Sequence, residues 1–105
     1  MPEFGIVSAM DRAALILEDK QFLDDGTIVE MRIWRVPNTV PPSVHGLKYA
    51  LFFGRPGERI VLFDNERGKS DHKHIRDVET AYSFTSVQQL VADFLAAVQD
   101  VRRQR

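Results

Sequence analysis

His72-Lys73-His74 is the part of this sequence best equipped for chemistry, because its two imidazoles titrate near neutral pH and stand one residue apart. Asp64-Asn65-Glu66-Arg67-Gly68-Lys69-Ser70-Asp71 precedes it, and the whole string follows the apolar run Ile60-Val61-Leu62-Phe63. On an extended backbone, residues i and i+2 face the same way with alpha carbons about 7 Å apart. Both histidines would then reach one phosphate or one metal ion. One histidine can take the proton of a ribose 2′-hydroxyl while a second acid protonates the leaving oxygen, the general acid–base chemistry of metal-free RNA cleavage. His72 and His74 are the expected acid and base, with Asp64 and Asp71 orienting them. Lys69 and Arg67 would carry phosphate charge, Arg67 through a planar fork and Lys69 as a point charge. Lys69 and Asp64 count with the histidines as catalytic, and Arg67, Lys73, His45 and Lys48 as substrate contacts.

A metal alternative combines Asp71, or Asp64, with His72 and His74, giving two nitrogens and a carboxylate. With no cysteine and no further ligand evident in the chain, the metal-free reading ranks first and no cofactor is expected. The structural reading of the same residues is that Asp64 and Asn65 cap a strand end, Gly68 permits a positive φ, and the rest is a solvated loop. The two histidines beside Lys69 are what weigh against it. Charge adds little: Asp64 to Arg76 holds four basic and three acidic residues, a mild attraction for phosphate. His45-Gly46 reads first as a turn, and Trp34 and Arg35 read first as packing on a sheet rather than an RNA-stacking surface.

Four strands and a helix would position these groups. Residues 13 to 22 and 27 to 36 read as a hairpin around Asp24-Asp25-Gly26. In the second strand Val29, Met31 and Ile33 alternate with Glu30, Arg32 and Trp34. Pro37 to Ser43 holds three prolines and cannot continue a ladder. Leu47–Phe53 and Arg59–Asp64 form a second, central hairpin around a type II turn at Pro56-Gly57. Ser86 and Gln89 suggest a capping box. Val87, Leu90, Val91, Phe94, Leu95, Val98 and Val101 then follow helical spacing, and Arg102, Arg103 and Arg105 complement the dipole. Tyr82 and Phe84 should fix the connection into the helix. The expected fold is α+β, a four-stranded antiparallel meander packed on a long C-terminal helix. Residues 1–105 make a single domain, with 1–12 an irregular N-terminal segment.

The 105 residues are 44% hydrophobic and 28% charged with a formal charge of −1. That composition suits one compact domain and gives no global attraction to nucleic acid. The chain has no cysteine, no apolar run of about 20 residues and no basic start like that of a secretion signal. A cytoplasmic protein without membrane contact is the expectation.

The runs Asp25-Gly26-Thr27-Ile28-Val29-Glu30-Met31, His45-Gly46-Leu47-Lys48-Tyr49, Asp64 to Lys69, Asp71 to His74 and Phe84-Thr85-Ser86-Val87 resemble the TumE-like family of small prokaryotic proteins. The likeness spans roughly residues 13 to 98, and Asp-Asn…Gly-Lys-x-Asp-His-x-His is its most specific piece. One departure is Ser70, where glycine is expected. The resemblance implies the toxin of a type II toxin–antitoxin pair, with a helix-turn-helix antitoxin protein as cognate partner. Together with the histidines it suggests a metal-independent endoribonuclease acting on RNA. A metal-dependent nuclease and a non-catalytic module binding protein or nucleic acid are the alternatives, and a homodimer is the self-association considered.

Overall fold

A computed structural model describes residues 13–37, 44–66 and 68–104. Its sheet has six antiparallel strands in sequential order: β1 (Ala14–Phe22), β2 (Ile28–Arg35), β3 (Leu47–Arg55), β4 (Glu58–Asp64), β5 (His72–Ile75) and β6 (Val78–Ala81). One helix, α1 (Val87–Arg103), crosses the face of β3 and β4. The α+β architecture, the meander order and the C-terminal helix agree with the sequence reading, but the strand number does not. Residues 72–81 form a third hairpin where a loop was expected.

That hairpin gives little sequence signal. Its turn is Arg76-Asp77 rather than an Asn-Gly or Asp-Gly pair, although Arg76 adopts φ 56°. All four residues of β6 are exposed, so no alternation of apolar and polar residues marks it. The other turns follow their chemistry. Gly26 and Gly57 sit at φ 86° and 79°, conformations a side chain would strain.

Pairing sorts residues between the faces. Ile33 opposite Tyr49, Leu51 opposite Phe63 and Phe53 opposite Val61 build the core side. Leu90, Phe94, Val98 and Val101 of α1 close over it. Phe94 meets Phe63 edge-on at 5.8 Å. Ser86 Oγ accepts from Gln89 N at 3.0 Å, while the Gln89 amide reaches forward to Asp93 instead of back to the cap. Only part of the expected apolar stripe is buried, since Leu95 remains 44% exposed. No helix among the described residues packs on the opposite sheet face. There Arg32 pairs with Glu18 and Glu30, and Asp64, His72 and His74 stand toward the other edge.

Candidate functional site

Register on β4 and β5 decides what the chemical string can assemble. Asp64 lies opposite His72, and Leu62 opposite His74, so Asp64 and both imidazoles share the open face. The extended backbone expected of His72-Lys73-His74 is present, and it turns Lys73 to the other face, opposite Phe63. Lys73 Nζ stands 5.9 Å from the Phe63 ring centroid, on the helix side of the sheet. The strand geometry that unites the histidines therefore separates them from the lysine between them.

His72 is held at both ring nitrogens. Nδ1 is 2.8 Å from the Ser70 carbonyl oxygen, which can only accept, so Nδ1 carries the proton and donates. Nε2 faces Asp64 Oδ1 at 2.6 Å. That contact lacks the alignment of an N–H···O bond, and Oδ1 is buried without a hydrogen-bond partner among the described residues. The His74 ring centroid lies 5.0 Å from that of His72 at an interplanar angle of 80°. Burial, helped by the positive charge of Arg59, lowers the His74 pKa, while the Glu79 carboxylate opposes the shift. His74 is thus biased toward the neutral form, able to accept a proton or to ligate. One ligand atom each from Asp64, His72 and His74 lies within 4.8 Å of the others, close enough for side-chain torsions to bring two nitrogens and a carboxylate onto one cation.

Asp71 does not join this group. Its Oδ2 is 2.6 Å from His45 Nε2 and 3.1 Å from the Tyr49 hydroxyl, which donates to it. Tyr49 belongs to the helix-side core, and Phe84 lies against both the His45 and Tyr49 rings. Asp71 is a buried strut that ties the start of β5 to β3. Burial, with the Asp71 charge, drives the Tyr49 pKa upward, so the phenol stays a donor. Of the two carboxylates offered for the metal set, Asp64 is the one that lies with both histidines, and the Ser70 carbonyl is what holds the His72 ring.

The remaining candidates divide. Lys69 is exposed, with Nζ 3.9 Å from Glu79 Oε2. It lines a cleft of about 400 Å³ with Ser70, Asp71, His72, Glu79, Thr80 and Ala81. His45 is committed to Asp71 on the helix side. Lys48 is exposed on the open face, two residues along β3 from Ala50, the partner of Asp64. Arg67 lies outside the described residues, as do residues 1–12. Sequence reasoning missed Glu79, the β3 partners of Asn65 and the contact between His45 and Asp71. Asn65 is completely buried, accepting from Tyr49 N at 2.9 Å and donating to Leu47 O at 2.7 Å, so its side chain continues the β3 ladder where β4 ends. Glu79 stands 3.8 Å from His74 Nε2 because β6 pairs there. His45 and Asp71 meet across 26 residues with no local pattern to announce it.

Comparison with known proteins adds one result. A family model described as "Toxin TumE" matches residues 10–102, nearly the whole chain. No significant match was found among curated proteins or among solved structures. No helix among the described residues is long and apolar enough to cross a membrane.

Proposed function

The chain belongs to the TumE toxin family, and on that premise we propose that it is the toxin of a toxin–antitoxin pair, held in check by a cognate antitoxin protein, and that it cleaves RNA at the Asp64–His72–His74 cluster. The observation that supports the reaction is the arrangement of that cluster: two imidazoles and a carboxylate converge on adjacent hydrogen-bonded strands, beside a cleft with Lys69 at its rim. A phosphodiester bound there would place its charge against the cluster and Lys69, and its 2′-hydroxyl against groups able to take the proton. Lys48 extends the same face as a second cation for the backbone. Lys73 and His45 have no part in it, since both are turned to the helix side.

Induced expression without the antitoxin gene tests the toxin, and RNA integrity tests the reaction. Wild-type protein should arrest growth and cut single-stranded RNA while sparing an all-deoxy strand, whose nucleophile is missing. Asp64→Asn, His72→Ala and His74→Ala should each relieve arrest while circular dichroism stays native. Intact RNA after prolonged incubation with folded, growth-arresting protein would remove the cleavage reading and favour a toxin that works by binding.

A further inference from the structure

We propose that Asp64, His72 and His74 form a binding site for one divalent transition-metal ion, of the class that includes Zn²⁺, Mn²⁺ and Co²⁺. The evidence begins at His72. Because its Nδ1 must donate to the Ser70 carbonyl, the neutral ring presents a lone pair at Nε2. The Asp64 carboxylate oxygen stands 2.6 Å from that nitrogen, off the direction of the lone pair. Two acceptors this close repel unless positive charge is shared between them. A proton on Nε2 would supply that charge by an aligned hydrogen bond, yet Oδ1 has none among the described residues and is buried from water. An ion coordinated by both atoms needs no such alignment, because it sits off the line joining them.

The third ligand is already in place. The ring nitrogen of His74 lies within 4.8 Å of both other donors, on the same strand as His72 and the same face as Asp64. All three backbones are fixed by the β4–β5 ladder, so binding would need no rearrangement beyond side-chain torsions. The Ser70 carbonyl meets the second requirement of a histidine ligand, a partner that sets its tautomer and ring plane. Two nitrogens and one oxygen suit borderline first-row ions better than Mg²⁺ or Ca²⁺, which prefer oxygen alone. Three protein ligands leave coordination positions open, as in sites that do chemistry rather than hold a fold together. The cleft beside His72 gives an anionic oxygen access to that opening, with Lys69 at its edge. Bound there, the ion would act on the phosphate as a Lewis acid. That consequence rests on the cleavage reading, but binding of the ion does not.

Titration of chelator-stripped, full-length protein with Co²⁺, read by its visible d–d absorption, separates the possibilities. One Co²⁺ should bind per chain with a Kd below about 10 μM, and Zn²⁺ should displace it. Asp64→Asn, His72→Ala and His74→Gln should each weaken binding by roughly tenfold or more, whereas Lys69→Ala should leave it unchanged. Should a variant prove unstable, ¹⁵N chemical shifts of His72 in the wild-type protein decide the matter. Loss of a bare Nε2 signal on adding one equivalent of Zn²⁺ supports the site. A doubly protonated His72 that ignores Zn²⁺ overturns it and leaves a simple ion pair. Saturable Co²⁺ binding with intact RNA would retire the cleavage reading and keep the metal site. Absence of saturable Co²⁺ binding, with RNA still cleaved in excess chelator, would overturn the metal site and keep the cleavage reading.

Discussion

Asn65 shows how much one side chain carries here. Its amide accepts from one backbone N–H and donates to one backbone C=O on β3, both inside the fold. Asn65→Ala would leave these two groups buried and unpaired, at a cost of about 2–4 kcal/mol. Urea denaturation should show the midpoint falling with an unchanged slope. Asn65→Asp should fare no better, because a carboxylate cannot donate to Leu47 O. At the neighbouring strut, Asp71→Asn should loosen the start of β5 by weakening its contact with His45, and so reduce toxicity without touching a reacting group. If Asp71→Asn leaves toxicity and the melting temperature at wild-type values, His45 and Asp71 are not what fixes β5.

At the scale of elements, the third hairpin and the helix are the parts whose docking can be tuned. Arg76 holds φ 56° in the two-residue turn between β5 and β6, a conformation glycine adopts freely. Arg76→Gly should therefore stabilise the protein by about 0.5–1 kcal/mol, readable as a higher melting temperature. No gain would mean that the arginine side chain itself holds the turn. The helix is fastened to the chain entering it by the Tyr82 hydroxyl, 2.6 Å from Asp93 Oδ2. The hydrogen bonds from Tyr82 and Gln89 lower the Asp93 pKa. Its folded value lies below its unfolded one, so this contribution is complete above the unfolded aspartate range and fades as pH falls through the folded value. Tyr82→Phe should cost about 1–2 kcal/mol at pH 7, and the deficit should narrow in strong acid. A deficit independent of pH would show that the charge of Asp93 takes no part in the Tyr82 contact.

Among the described residues, the molecule depends on the apolar layer between the sheet and α1. Phe94 is completely buried where α1 crosses that layer, and Phe94→Ala should cost about 3–5 kcal/mol, a large share of a small domain's stability. Gly54 is as sensitive for a different reason, since a Cβ there would overlap the Glu58 carbonyl oxygen at the irregularity between Phe53 and Gly54. Gly54→Ala should shift the β3–β4 register or unfold the protein, and an unchanged melting curve would show that the turn can yield. Both sheet edges are guarded. β1 carries charged residues and a register shift near Ile16, and β6 is only four residues long. The proposed chemistry depends on the sheet face opposite α1 and not on an edge.

The local code was legible. The Asp-Gly and Pro-Gly turns, the β2 alternation, the Ser86 cap and the helical apolar spacing each follow from interactions within a few residues, so each could be read from the string. The pairing of His72 with His74 also followed, because alternation along a strand is local. What pairs across strands was not. Asp64 rather than Asp71 completes the cluster because β4–β5 register places it opposite His72, and register is fixed by the whole sheet. Lys73 looked like a companion of the histidines by proximity in sequence, and His45 by its residue type, yet pleating and core packing turn both to the far face. The last hairpin escaped notice because its strands are short and without apolar alternation, its turn is unmarked, and β5 is held by pairing with β4, an interaction that only the assembled sheet supplies.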